Sequence, residues 1–139
     1  MDEKLFIRIK NQISEIDKVS QLFNNFITDH QIPGNIGKAL DLALDEILNN
    51  IINYGYEDET NHEIDISIIL SDNQFIVKIE DDGLKFNPLD VPEADTASSI
   101  EARPIGGLGI HLVRNVLDDV YYSFENNKNC ITLKKIIRG

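Results

Sequence analysis

A chain of 139 residues with 42% hydrophobic content has room for one ordinary domain with its own core, needing no disulfide or structural metal. A formal net charge of −11 repels nucleic-acid phosphates and anionic membrane surfaces, so direct nucleic-acid or membrane binding is set aside in favour of a protein or small-ligand partner. No apolar run approaches a membrane span and the N-terminus carries no basic segment leading into an apolar stretch, so residues 1–139 are expected to form a single soluble, cytoplasmic domain.

Leu5-Phe6-Ile7-Arg8-Ile9-Lys10 alternates well enough to predict a strand. Ser14 and Asp17 then open a stretch in which Ile16, Val19, Leu22, Phe23, Phe26 and Ile27 have helical spacing. Pro33-Gly34-Asn35 breaks the chain, and Ile36, Leu40, Leu44, Ile47, Leu48 and Ile51 mark one face of a second helix ending near Tyr54-Gly55. His62 to Leu70 and Phe75 to Glu80 predict a hairpin around Ser71-Asp72-Asn73-Gln74, with Asp81-Asp82-Gly83 closing its second strand. Residues 84–105, with Pro88, Pro92 and Pro104, lack periodicity and predict a long functional loop. The glycine-rich run Arg103-Pro104-Ile105-Gly106-Gly107-Leu108-Gly109-Ile110 leads into a helix from Ile110 to Leu117. Val120 to Phe124 and Cys130 to Ile137 predict a second hairpin around Glu125-Asn126-Asn127-Lys128-Asn129, and Cys130 in its apolar run reads as a buried strand thiol without chemistry. This order predicts an α+β fold: a two-layer sandwich of a mixed, mostly antiparallel sheet with helices on one face.

Three segments carry candidate chemistry, and each has a plain reading beside a functional one. Glu46, Asn50 and Asn53 share a narrow stripe at the shoulder of the second helix's apolar face, since residues advance by about 100° each. Such a stripe is either solvation or a ligand-facing edge, where an amide oxygen suits Mg²⁺ and a carboxylate accepts a proton. Asp81-Asp82-Gly83 is either an Asp-Gly turn or a base-reading corner, with Asp81 accepting from an exocyclic amine and Gly83 leaving room for a flat base. Gly106-Gly107-Leu108-Gly109 before a helix is either a turn and cap or a phosphate cradle, though it matches neither a P-loop nor a dinucleotide fingerprint. His30, His62 and His111 lack metal-ligand spacing and are read as surface or packing residues.

Taken in order, Glu46-x-x-x-Asn50, Asp81-x-Gly83 and Gly106-Gly107-x-Gly109 resemble the three motifs of the Bergerat-fold ATPases, and within them the small bacterial anti-sigma-factor serine/threonine kinases. Leu44 to Tyr56 is similar to their Glu/Asn helix with its aromatic exit, and Phe86-Asn87-Pro88 to their Phe-Asp-Pro. Tyr54 stands where many of them have His, and Lys85 where a second glycine is common. The resemblance implies an ATP- and Mg²⁺-dependent kinase in which Asp81, with Thr132 beside it, reads the adenine amine. Asn50 would ligate Mg²⁺, and Glu46 would be the base toward a substrate serine, threonine or water. Gly83 and Asn53 would lie at the nucleotide, and the backbone from Gly106 through Gly107, Leu108, Gly109 and Ile110 would hold phosphate oxygens with help from Arg103. The implied partners are an anti-sigma-factor antagonist, a sigma factor and a second copy of the chain. A non-catalytic ATP sensor and a slow ATPase are the competing readings. Residues 89–109, as a lid hinged at the glycines, are expected to be mobile without nucleotide.

Overall fold

The computed structural model describes residues 2–58, 60–90 and 113–137. Strand β1 (Glu3–Lys10) leads through a 3₁₀ turn (Ile13–Glu15) into α1 (Ile16–Asp29), followed by α2 (Gly34–Tyr54). Strands β2 (Glu63–Ser71) and β3 (Gln74–Asp81) come next, then a 3₁₀ turn (Pro88–Asp90), helical residues 113–116, and strands β4 (Asp119–Glu125) and β5 (Lys128–Ile136). The five strands form one sheet in the order β1-β2-β3-β5-β4, and each neighbouring pair is antiparallel. The expected α+β sandwich is therefore present, with a wholly antiparallel sheet among the described residues. No helix among them is long and apolar enough to cross a membrane.

Both tight hairpins turn on two residues in the left-handed region: Asp72 and Asn73 (φ 47° and 65°) and Asn126 and Asn127 (φ 55° and 61°). Asn and Asp tolerate that region better than other side chains, and two such residues give the turn twist that matches antiparallel strands. The short turns fix the register, and the register places every side chain on a known face. Three cross-strand rows face the helices: Leu5-Ile68-Val77-Leu133-Val120, Ile7-Ile66-Ile79-Ile131-Tyr122, and Ile9-Ile64-Asp81-Asn129-Phe124. The first two rows are almost wholly apolar. They close against Val19, Phe23, Phe26 and Ile27 of α1 and Leu40, Leu44, Ile47, Leu48 and Ile51 of α2, forming one core. Phe75 completes it, edge-on to Phe23 with centroids 6.0 Å apart.

The third row breaks the apolar pattern at Asp81 and Asn129, both buried on the helix side. Burying a carboxylate in this layer costs stability unless partners satisfy it, so a functional corner is the natural place to search.

Candidate functional site

Asp81 is the last residue of β3 and 5% exposed. Its Oδ1 accepts the Gly83 N–H at 2.9 Å and the Asn129 side-chain amide at 3.0 Å. Burial pushes the Asp81 carboxyl up from the usual carboxylate range and neighbouring Asp82 adds to the push, while the bonds from Gly83 and Asn129 pull it down. With Oδ1 doubly occupied, Oδ2 is the oxygen left to meet a donor on a ligand.

The turn after Asp81 is pinned to the end of α2. Leu84 N–H donates to the Gly55 carbonyl at 2.8 Å, and a Cβ built on Gly83 would lie 2.4 Å from that same oxygen and 3.1 Å from Tyr56 Cε1. Gly83 is therefore required by a close approach of one backbone to another, and the space its missing side chain vacates is filled by Gly55, Asp81 and Tyr56 rather than left open. Tyr54 packs against Phe86 with centroids 6.1 Å apart, so the residue standing in the usual His position contacts the segment following this turn. Lys85, in the second-glycine position, is exposed and reaches over Phe124 at 5.7 Å.

On α2, Asn50 is 2% exposed and donates its amide nitrogen to the Pro88 carbonyl at 3.0 Å. That bond holds the 3₁₀ turn after the Asp81 corner against the helix, where Leu89 enters the core. It commits the nitrogen, so the side-chain oxygen is the group available to a hard cation. One turn earlier, the half-buried Glu46 has a buried oxygen, Oε1, with no hydrogen-bond partner among the described residues. Burial raises its pKa above the ordinary glutamate range. Asn53, one turn further along the stripe, is exposed. The helix thus places, one turn apart, a carboxylate unsatisfied among the described residues and a buried amide that bonds the segment after the Asp81 corner.

One prediction needs correction. Thr132 does not lie beside Asp81: the register pairs it with Lys78 and Tyr121, on the sheet face away from the helices, alongside Cys130. The residue opposite Asp81 is Asn129. Reading Glu125 to Asn129 as one turn hid it, because Asn is depleted in strands and common in turns. Counting back in steps of two from Leu133 and Ile131 would have put Asn129 on the inner face. Leu89 and Asp90, at the start of the expected lid, belong to the 3₁₀ turn that Asn50 bonds. Arg103, Gly106, Gly107, Leu108, Gly109 and Ile110, with the remainder of the expected lid and the start of its helix, lie outside the described residues.

His62, read as a surface or packing residue, packs on Tyr56 and also joins two carboxylates. Its Nε2 meets Asp58 Oδ1 at 2.9 Å, its Nδ1 meets Asp82 Oδ1 at 3.1 Å, and its ring stacks on Tyr56 with centroids 4.7 Å apart. Cavities of 220 and 300 Å³ flank it at this end of the sheet, the smaller lined by Arg8, Asp65 and Lys128 among others, the larger by Tyr56, Gly83 and Leu84 among others. Neither includes Glu46 or Asn50, so these hollows are not the chamber for a ligand spanning both ends of the site.

The family model for the histidine kinase-like ATPase domain matches residues 9–135, taking in the helix stripe, the Asp81 corner and β5. The chain belongs to that family. ATP is accordingly the nucleotide to place in this domain. Among curated proteins it is similar to the serine-protein kinase RsbW of Listeria monocytogenes, 24% identical over 101 residues that cover 70% of this chain and 64% of the relative. RsbW of Bacillus thuringiensis is 26% identical over 101 residues, covering 70% of this chain and 62% of the relative. The matches thus span a little under two thirds of these relatives' length. Among solved structures, the histidine kinase domain of the blue-light activated histidine kinase from Erythrobacter litoralis EL346 superposes with a TM-score of 0.55 at 14% identity, covering 90% of this chain and 60% of that one. That likeness shows the fold of this ATPase domain: an antiparallel sheet with helices layered on it.

Proposed function

We propose that this domain is an ATP- and Mg²⁺-dependent serine/threonine protein kinase of the anti-sigma-factor type, whose substrate is an antagonist protein and whose further partners are a sigma factor and a second copy of itself. The observation that carries the reading is the pairing on α2, one turn apart, of Glu46, whose buried oxygen has no partner among the described residues, with Asn50, which bonds the Pro88 carbonyl after the Asp81 corner. Similarity to the serine-protein kinases called RsbW supports a protein hydroxyl over water as the acceptor.

In this reading Asp81 Oδ2 accepts from the adenine amine, while Asn129 and the Gly83 N–H hold the carboxylate in place. The donor set on α2 suits a hard cation: the Asn50 amide oxygen is an uncharged hard ligand, held in position by the Pro88 bond. When bound, Mg²⁺ neutralises phosphate charge, which an acidic protein could not otherwise accommodate. Glu46 is the base. Its raised proton affinity suits it to take the substrate hydroxyl proton as the oxygen forms a bond to the γ-phosphorus and the bond to the β,γ-bridging oxygen breaks, leaving ADP and a phosphorylated side chain. Asn53 at the exposed end of the stripe, and Arg103 with the Gly106–Ile110 backbone, complete the proposed phosphate contacts.

Phosphate transfer from γ-labelled ATP to candidate antagonist domains tests the proposal, with Glu46→Ala as control. Transfer that requires Glu46 is the expected result. If Mg-ATP binds but no label moves, the kinase reading fails and the domain is a nucleotide sensor; release of free phosphate alone identifies a slow ATPase. Calorimetry on Asp81→Asn checks the base corner separately, since unchanged ATP affinity would show that the nucleotide lies elsewhere.

A further inference from the structure

Asn129 is 3% exposed and sits at the centre of a closed hydrogen-bond network. Its Oδ1 accepts the Phe86 N–H at 3.0 Å and the Tyr122 hydroxyl; its Nδ2 donates to the Leu84 carbonyl at 2.8 Å and to Asp81 Oδ1 at 3.0 Å. The orientation of the amide follows from its neighbours. A backbone N–H can only donate and a backbone carbonyl can only accept, so the oxygen must face Phe86 and the nitrogen must face Leu84 and Asp81. An Asn held this way on four sides has no freedom to turn toward a ligand.

Its effect on Asp81 is directional. A free carboxylate presents two equivalent oxygens and can rotate to offer either, or accept a proton and become a donor. Here the Asn129 amide and the Gly83 N–H both converge on Oδ1, which fixes the rotation of the carboxylate and gives Oδ2 to the ligand. Both donors also favour the charged form, against the burial that opposes it. Asp81 therefore offers a single fixed acceptor, Oδ2, in a corner that also holds the buried Tyr56 hydroxyl. Such an acceptor takes the amine of an aminopurine and repels the carbonyl of an oxopurine.

We infer that Asn129 is a positioning residue that makes Asp81 a one-sided acceptor held in a fixed orientation, and that it thereby sets the discrimination of this site between 6-amino and 6-oxo purine nucleotides. The inference rests on the proposed nucleotide reading and extends it from Asp81, which contacts the base, to a side chain that acts only through Asp81. Four other titratable groups act on or lie near the Asp81 carboxylate: Asp82 beside it in the chain, His62 at the start of β2, Tyr56 after α2 and Tyr122 on β4. Of these, Tyr122 bonds the far side of Asn129, and His62 bonds Asp82 rather than Asp81.

The test compares ATP with inosine triphosphate, which carries a carbonyl in place of the amine, by calorimetry across a pH series. Two variants are used. Asn129→Asp keeps the shape and the acceptor for Phe86 but sets a second carboxylate against Asp81; two such groups at this separation share a proton. Asn129→Ala removes the donor outright. In the parent chain, ATP binding is expected to weaken on acidification as Asp81 protonates, with ATP strongly preferred. In Asn129→Asp that weakening should begin at a pH higher by about one unit or more, and the ATP-to-inosine-triphosphate ratio should fall by about tenfold, because a protonated Asp81 donates to the carbonyl. Asn129→Ala should move both readings in the same direction, and if it fails to fold, Asn129→Asp alone decides. An equal loss of affinity for both nucleotides at every pH would show that Asn129 merely holds the loop and would overturn the inference. Absence of binding of either nucleotide to the parent chain would instead sink the nucleotide reading itself.

Discussion

Asp81 and Glu46 are both carboxylates drawn into the protein, and burial raises the proton affinity of each, yet their surroundings are opposite. Asp81 lies in a corner where the Gly83 N–H and the Asn129 amide both bond it and where the turn after it is tied to Gly55. Glu46 sits one turn from Asn50 with an oxygen that no described residue satisfies. The Asp81 carboxylate is held by two donors; the Glu46 oxygen is held by none among the described residues. A recognition group gains from being fixed, because ordering it later would reduce affinity. A base has to be able to take up and release a proton, and an unsatisfied oxygen leaves it that freedom.

The largest effect follows from that contrast. Glu46→Gln keeps the volume and removes the charge, and it is expected to cut phosphate transfer by about 10²–10⁴-fold while leaving Mg-ATP binding close to that of the parent. Because burial opposes the charge on Glu46 and the variant carries none, it should also melt at a higher temperature than the parent at neutral pH. A variant that loses activity and stability together would mean that Glu46 is a structural residue, and the contrast with Asp81 would collapse. Next in size is Gly83→Ala. The added methyl meets the Gly55 carbonyl at 2.4 Å, so the turn and the end of α2 must separate, costing about 1–3 kcal/mol in denaturant unfolding and weakening ATP binding. Unchanged stability would show that the corner is less rigid than its hydrogen bonds indicate.

The two regions also differ in how far the sequence revealed them. The helix stripe was fully legible, because helical spacing alone puts Glu46, Asn50 and Asn53 in line and one polar stripe beside an apolar face is easily seen. Asp81 was legible as the end of an Ile/Val-rich strand. Its partner was not, since the pairing of β3 with β5 brings together residues 48 apart that no short turn connects. An error of two residues in where β5 begins hid Asn129, and an error in facing put Thr132 in its place; a face reverses with every residue. The backbone approach that requires Gly83 was likewise invisible, because it depends on where α2 ends relative to β3. His62 was unreadable for the same reason: Asp82 reaches it across 20 residues.

Neighbouring Asp45 sharpens the comparison from the other face of α2. Its Oδ1 is buried without a partner among the described residues, and its pKa is pushed up to about 6, by burial first and then by Asp41 and Asp17. Asp41 has a partner in the Ser20 hydroxyl, which lies 2.9 Å from each of its oxygens and donates its one proton between them. A carboxyl whose folded pKa lies above its unfolded value opposes folding once it ionises, so stability should fall as pH rises from about 4 to about 6. Asp45 is only half removed from water, so the loss is discounted to about 1–2 kcal/mol. Asp45→Asn should flatten that slope, leaving what Glu46 and Asp81 contribute, and stabilise the protein at neutral pH, as read from urea midpoints at pH 5 and pH 7.5. If the slope is unchanged in the variant, the strain belongs elsewhere, and Glu46 becomes the first place to test for it.

The smallest effect concerns the latch at His62, which ties the segment after α2 to the turn after β3. Its pKa is raised, chiefly by the bond to Asp58, with Asp82 adding to this and partial burial opposing it. Asp58 is lowered in turn, by Thr60 first and then by His62. The signs are opposite. A raised histidine contributes stability below its unfolded pKa and loses it as pH rises through the folded value, whereas a lowered aspartate contributes above its unfolded pKa and loses it as pH falls through the folded value. The latch is therefore strongest between about pH 4 and pH 6.5 and loosens above it. Because the turn it holds also carries the Leu84 N–H bonded to Gly55, the protection of that amide against hydrogen exchange should decline as pH is raised past the histidine titration, once corrected for intrinsic exchange. His62→Gln should lose that pH dependence and bind ATP slightly less tightly at pH 6, by no more than about threefold, since the ion pairs are largely exposed. An NMR titration placing the His62 pKa at or below that of a free histidine would break the latch, and would leave the Asp81 corner resting on Gly83 and Asn129 alone.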